Sequence, residues 1–122
     1  MRTYRHFTLP AHGAIEFLAG LAMMFIPAAL SMIPAAPSFS PVALLVCALL
    51  GAILAGTSLG LTAQRPASGR SHDAFDSVFM LVTALAALAL AAAGQLGAVI
   101  LLTSIVLLQA ALGLTTRYVT AE

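Results

Sequence analysis

Two short stretches of the chain place a histidine four residues before a carboxylate: His12–Glu16 in HGAIE and His72–Asp76 in HDAFD. These residue types are rare here, since the whole chain has three histidines and four acidic residues. Residues four apart on an α-helix lie on one face, with Cβ atoms about 5–6 Å apart. Each stretch would therefore present an imidazole nitrogen and a carboxylate oxygen side by side.

Such pairs suit a divalent metal ion, because Zn²⁺, Fe²⁺ and Mn²⁺ accept imidazole and carboxylate ligands. The candidate metal ligands are His12, Glu16, His72 and Asp76. A second interpretation is proton-coupled transport, in which one of the two carboxylates changes protonation. The sequence alone does not decide between these hypotheses.

A third interpretation is structural. Arg65 and Arg117 follow the second and fourth apolar segments and are expected at the same end of the molecule as Glu16 and Asp76. The acids would then form ion pairs with the arginines, and the histidines would be neutral hydrogen-bond partners. The predicted polar or ion-binding cluster thus comprises His12, Glu16, His72, Asp76, Arg65 and Arg117.

The composition predicts the environment of this cluster. Hydrophobic residues make up 61 % of the 122 residues, charged residues 7 %, and the mean hydropathy is +1.07. A soluble domain of this size buries only about 60–70 % of the surface of its unfolded chain, too little to hide so many apolar groups. Residues 1–122 are therefore expected to form one integral membrane domain whose main partner is the lipid bilayer.

Four apolar runs have close to the roughly 20 residues that cross a bilayer as an α-helix. We therefore expect an all-α bundle of four transmembrane helices. Ser40 and Ser71 are expected to cap the second and third helices, and Pro27 is expected to kink the first helix or end it early. The runs cover about Ala11–Ile33, Pro41–Ala63, Ala74–Ala93 and Leu96–Thr116.

The basic residues predict the orientation. Two arginines precede the first run, two lie between the second and third, and one follows the fourth: Arg2, Arg5, Arg65, Arg70 and Arg117. The positive-inside rule places that side in the cytoplasm, so both termini are expected there. The absence of Lys beside abundant Ala, Gly and Arg indicates a GC-rich bacterial genome, and hence the bacterial inner membrane.

The two halves of the chain also resemble each other in order. Each reads His-x-Ala, a large apolar residue, an acid, a span, an uncharged loop, a second span, Leu-Gly-Leu-Thr and then Arg. This order predicts two parallel-repeat hairpins, covering about residues 10–65 and 71–117. Parallel repeats are related by an axis along the membrane normal, which would bring the starts of the first and third helices to equal depth.

Small residues in the second span predict close helix packing, within the chain or between chains. The candidate packing residues are Gly51, Ala55, Gly56 and Gly60, of which the last two form a GxxxG match. Gln109 is a polar residue in the fourth span and is expected to hydrogen-bond across helices.

Two families are similar to this pattern. Two hairpins with Gly20 and Pro27 in the first helix resemble the small bacterial membrane proteins of the SPW-repeat type, although Ile26-Pro27-Ala28 stands in place of Ser-Pro-Trp and the chain has no Trp. That resemblance implies an architecture and no established activity. The small multidrug transporters are similar in size and in a lone acid of the first helix, here Glu16, but this chain lacks their aromatic-rich substrate chamber.

The function that these observations favour is a structural or accessory membrane subunit, with the polar cluster at the cytoplasmic ends of helices 1 and 3. The alternatives are a divalent-metal-binding membrane protein and a small proton-coupled transporter. A homo-oligomer or a membrane partner subunit is expected. Nucleic acid is not, because five scattered arginines do not follow a phosphate backbone. No nucleophile–base pair, phosphate loop or cofactor motif indicates an enzyme.

Overall fold

The computed structural model describes residues 2–4, 9–35, 39–62, 66–115 and 118–120, and the side chains of residues 12–35, 39–59 and 74–113. Its helices are α1 (Leu9–Ser31), α2 (Pro41–Thr62), α3 (Pro66–Ala92) and α4 (Leu96–Thr115), and its strands are β1 (Arg2–Tyr4) and β2 (Tyr118–Thr120). Each of these helices is long and apolar enough to cross a membrane. The prediction of an all-α bundle with four spans is confirmed.

The helices form two hairpins that lie side by side. α1 packs mainly against α2, and α3 mainly against α4. At one end of the bundle, the backbone N–H of Ser40 donates a hydrogen bond to Oε1 of Gln95 at 2.9 Å, which joins the α1–α2 loop to the α3–α4 loop. At the other end, β1 and β2 pair antiparallel, with Thr3 opposite Val119. We call these the loop end and the strand end.

The helix boundaries follow local sequence signals. Ser40 is the N-cap of α2, since its Oγ accepts a hydrogen bond from the N–H of Ala43 at 3.1 Å. The prediction that Ser71 caps the third helix is wrong, because α3 begins at Pro66. Proline is favoured at the first position of a helix, where its missing N–H would have no partner. Pro66 takes that position, so α3 begins upstream of the apolar run. α1 continues past Pro27 to Ser31 and does not end early.

The turn between α3 and α4 requires a glycine. Gly94 has φ of 76°, a left-handed conformation that side chains disfavour. The N–H of Gln95 bonds to the carbonyl of Leu90 at 2.9 Å, and that of Gly94 to the carbonyl of Ala91 at 3.0 Å. This pair of bonds is the Schellman motif, which ends α3 and reverses the chain within the three residues before α4.

Two glycines bring α1 and α2 into backbone contact. A Cβ added at Gly51 would lie 2.5 Å from the carbonyl oxygen of Gly20, and one added at Gly20 would lie 2.6 Å from that of Gly51. Ala55, one turn further along α2, also contacts Gly20. Helices approach this closely only where Cβ atoms are absent or small.

The predicted packing set divides between two faces of α2. Gly51 and Ala55 lie on the face toward α1, whereas a Cβ at Gly56 would have no atom within 4 Å. Five residues separate Gly51 from Gly56, which turns the side-chain direction about 140° around the helix. The surroundings of Gly60 lie outside the described residues.

The distribution of polarity is that of a protein in lipid. Large apolar side chains cover the outside of every helix, among them Leu18, Leu49, Leu88 and Leu107. The buried polar side chains of the described residues are His12, Glu16, Ser58, Asp76, Thr83 and Gln109. Polar groups in a membrane span face the bundle interior because lipid offers them no hydrogen bonds.

Candidate functional site

The site begins with the first histidine–acid pair, on α1. His12 is 2 % exposed and Glu16 is fully buried, and Nε2 of His12 lies 3.2 Å from Oε2 of Glu16. The two residues stand one turn apart on the same helix face, as their spacing requires. They lie within the first turns of the candidate span His12–Ser31, near the strand end of the bundle.

The second hairpin supplies a carboxylate to the same point. Asp76 on α3 is 6 % exposed, and its Oδ2 lies 3.6 Å from Nε2 of His12. Because α1 and α3 both start at the strand end, residues near their starts meet at similar depth. The two hairpins thus contribute one acid each, Glu16 and Asp76, on either side of one imidazole.

Gln109 on α4 completes the described cluster. Its Nε2 donates a hydrogen bond to Oδ1 of Asp76 at 3.3 Å. The two oxygens of Asp76 therefore have different neighbours, since Oδ1 faces Gln109 and Oδ2 faces His12. Gln109 is 1 % exposed, and its Oε1 has no hydrogen-bond partner among the described residues.

This geometry fits a metal ion. His12, Glu16 and Asp76 each offer one ligand atom, and these atoms all lie within 4.8 Å of one another. Ligand atoms of a tetrahedral ion with bonds near 2.0–2.1 Å stand about 3.3 Å apart. The distances of 3.2 and 3.6 Å from Nε2 of His12 to the two carboxylates are close to that value.

A layer of two apolar side chains and one threonine lies on the loop-end side of the cluster. Met23, Thr83 and Leu102 are each seven residues, or about two turns, from Glu16, Asp76 and Gln109 on their own helices. All three of these deeper side chains are fully buried. The Oγ1 of Thr83 has no hydrogen-bond partner among the described residues. The described residues of the cluster therefore lie at one level of the bundle, and Thr83 is the polar member of the layer further in.

The remaining predicted site residues cannot be placed in the cluster. His72 belongs to α3 one turn before Asp76, but its side chain lies outside the described residues. Arg65 and Arg117 also lie outside them. Their ion pairs with Glu16 and Asp76, and a role of His72 as a ligand, therefore stay predictions.

Gln109 was predicted to form a hydrogen bond across helices but was not predicted to belong to the cluster. Its bond to Asp76 confirms the first expectation. The only sequence signal was a polar residue within an apolar span, and Thr83 and Ser58 gave the same signal without an assigned role. The position of Gln109 opposite Asp76 depends on the relative depth of α3 and α4, which the sequence does not specify.

The fold and the cluster together define a class: a small multi-pass membrane protein with a buried histidine–carboxylate site. The comparisons of this chain with protein families, curated proteins and solved structures find no match. The resemblance to the SPW-repeat type therefore stays an expectation.

Proposed function

We propose that this protein binds a first-row divalent metal ion inside the membrane through His12, Glu16 and Asp76. The observation that carries the proposal is the convergence of three ligand atoms, from α1 and α3, within 4.8 Å of one another in a buried position. The function is binding, with no enzymatic reaction assigned.

Charge supports a cation as the occupant. Two carboxylates and one imidazole lie together in the bundle interior, where ionised groups are costly without compensating charge. A divalent cation between Glu16 and Asp76 balances both carboxylates at once. His12 then binds as a neutral imidazole, the form in which histidine is a metal ligand.

The donor set narrows the metal. One imidazole nitrogen and two carboxylate oxygens suit Zn²⁺, Mn²⁺ and Fe²⁺. Mg²⁺ and Ca²⁺ prefer sites made of oxygen ligands alone, so the imidazole of His12 selects against them. The cluster has no sulfur ligand, which the soft ion Cu⁺ would require.

Two features favour a binding site over a transport pathway. The polar residues occupy one level of the bundle, and the fully buried layer of Met23, Thr83 and Leu102 lies about two turns further in. An ion crossing the bundle would have to pass that layer. The hydroxyl of Thr83 is the one oxygen ligand that these three side chains offer.

A structural role is the second candidate, and the contact between the hairpins favours it. The His12–Asp76 pair joins α1 to α3, and the Gln109–Asp76 hydrogen bond joins α4 to the same point. In this interpretation the cluster is an ion-pair and hydrogen-bond network that orients one hairpin on the other, with Arg65 and Arg117 as further partners.

The arginines support a location for the site. With the strand end in the cytoplasm of a bacterial inner membrane, as the positive-inside rule favours, the site lies near the inner leaflet and takes its metal from the cytoplasm. The apolar outer faces of the helices contact lipid, a second copy of the chain or a membrane partner subunit.

Metal content tests the proposal. Protein purified in detergent, stripped with a chelator and equilibrated with Zn²⁺ is expected to hold one zinc per chain by elemental analysis, with excess Mg²⁺ present. His12→Gln is expected to reduce the zinc to background, because it removes the nitrogen ligand. His6→Gln, a histidine before α1, is the matched control and should retain zinc.

A wild-type protein with no more zinc than His12→Gln would contradict the proposal. His72→Gln extends the test to the second predicted histidine. Retention of zinc by this variant limits the site to three protein ligands, and loss adds His72 as a fourth.

A further inference from the structure

We infer that Gln109 is the positioning residue of this metal site, holding Asp76 as a ligand through one oxygen and accepting a hydrogen bond from a water on the metal. The inference rests on the proposed metal binding. It names a fourth ligand, a water molecule, and the protein atom that recognises it.

The two oxygens of the Asp76 carboxylate have different neighbours. Oδ1 accepts the hydrogen bond from Nε2 of Gln109 at 3.3 Å, and Oδ2 lies 3.6 Å from Nε2 of His12. An oxygen held by an N–H donor is less available to a cation. The metal is therefore bound through Oδ2, on the side of His12 and Glu16, in the way that outer partners orient carboxylate ligands.

The contact with Asp76 determines which end of the Gln109 amide faces the carboxylate. An ionised carboxylate only accepts hydrogen bonds, so the atom of Gln109 facing Asp76 must be the NH₂ group. The amide oxygen Oε1 is left at the other corner of the same group. It is buried and has no hydrogen-bond partner among the described residues.

A metal-bound water would be the hydrogen-bond donor to Oε1 of Gln109. A buried carbonyl oxygen needs a donor, because an unsatisfied polar atom in a protein interior is costly. The three-ligand set of His12, Glu16 and Asp76, without His72, leaves one position of a four-coordinate ion open to water. A metal-bound water has two protons to donate, and Gln109 Oε1 is a buried acceptor without a hydrogen-bond partner among the described residues. The site is thus open at one coordination position and exchanges that ligand.

Titration with Co²⁺ tests this role. Gln109→Met keeps the length of the side chain and removes both the donor and the acceptor. We expect wild-type protein to bind one Co²⁺ per chain, and Gln109→Met to bind it about 10–100-fold more weakly, the usual loss when the partner of a metal ligand is removed. The visible absorption of the bound Co²⁺ should also change.

Thr83→Val is the matched control. Thr83 is equally buried, lies two turns from Asp76 on α3, and also carries a polar atom without a hydrogen-bond partner among the described residues. Its replacement should leave Co²⁺ affinity and absorption as in the wild type. A purely structural role of Gln109 would change the unfolding of the metal-free protein but neither of these two properties.

Electron–nuclear double resonance of the Co²⁺ protein in D₂O addresses the water directly. Strongly coupled deuterium of a metal-bound water, distinct from the weakly coupled exchangeable ring N–D of His12, is expected in the wild type. Wild-type affinity and absorption in Gln109→Met, or no strongly coupled deuterium, would overturn the inference and leave metal binding intact. Failure of the wild-type protein to bind Co²⁺ would overturn the proposed function, and the inference with it.

Discussion

The double variant Glu16→Gln/Asp76→Asn is expected to lose measurable metal binding while its metal-free form remains folded with unchanged or increased stability. The substitutions preserve the size of both side chains and remove both negative charges. Neutral amides are poor ligands for Zn²⁺ and do not balance its charge. His12 then stands alone as a ligand, which does not suffice to hold the ion.

The sign of the stability change separates the two candidate functions. In a metal site, the empty form holds two buried carboxylates close together, and neutralising them removes a desolvation cost and a repulsion. Replacing a buried ion pair with well-packed apolar residues of similar volume is often neutral or stabilising by about 1–4 kcal/mol, and the desolvation part of that argument applies to the amides. In a structural ion-pair network, removing one partner leaves the other charge buried and costs about 3–5 kcal/mol.

The measurement is denaturant or thermal unfolding in detergent, without metal and with saturating Zn²⁺. Wild-type protein should gain stability with zinc, because a ligand that binds only the folded state stabilises it, and the double variant should not. Asp73→Asn is the control, since it removes one acid from α3 three residues from Asp76. A double variant less stable than wild type by several kcal/mol without metal would favour the structural network.

Gly51→Ala is expected to destabilise the protein strongly, and Gly56→Ala to leave it unchanged or slightly more stable. The Cβ of an alanine at position 51 would lie 2.5 Å from the carbonyl oxygen of Gly20 and 2.9 Å from Cβ of Met23. The first of these is a backbone atom, so the helices must separate. At position 56 the added methyl group meets no atom within 4 Å.

The two variants differ only in packing, because both exchange glycine for alanine within α2. The intrinsic helix preference for alanine, about 1 kcal/mol, applies equally to both. Overpacking costs about 1–3 kcal/mol and occasionally more, so at position 51 the clash outweighs that gain. Unfolding in mixed detergent measures the difference. Equal stability of the two variants would show that α1 and α2 do not meet at Gly20 and Gly51.

Much of the fold could be predicted from the sequence, because length and apolarity determine a span almost alone. The predicted runs starting at Pro41 and Leu96 match the starts of α2 and α4. Ser40 was recognisable as an N-cap, since its hydroxyl precedes a proline and a long apolar run. The start of α3 could not be recognised in the same way. Residues 66–73 have few large apolar side chains, so no apolar periodicity indicates that they are helical.

The site could be predicted in part. Helical spacing placed His12 over Glu16, and the similar halves suggested that Asp76 would meet them. The contribution of Gln109 depends on how deeply α4 is set against α3, which arises from side-chain packing along the whole helix pair. The sequence pattern therefore identified the ligands more readily than the residue that positions one of them.

The similarity of the two halves does not extend to helix packing. The offset that takes His12 to His72 takes Gly20 to Met80, and the offset between the two Leu-Gly-Leu-Thr segments takes Gly51 to Ser104. The second hairpin thus lacks the glycine pair that brings α1 and α2 together. The content of small residues in each span does not predict this difference between the hairpins. The close approach of two helices requires glycines at matching depths on both of them.

X-ray absorption at the zinc edge, on wild-type protein loaded with one equivalent of Zn²⁺, tests the central claim most directly. We predict a first shell of nitrogen and oxygen at about 2.0–2.2 Å, including the scattering of one imidazole, and no sulfur. His12→Gln under the same conditions should give only the spectrum of hydrated, unbound Zn²⁺. A shell with sulfur near 2.3 Å, the distance of a cysteine ligand such as Cys47, or an unbound hydrated ion, would contradict a site built from His12, Glu16 and Asp76.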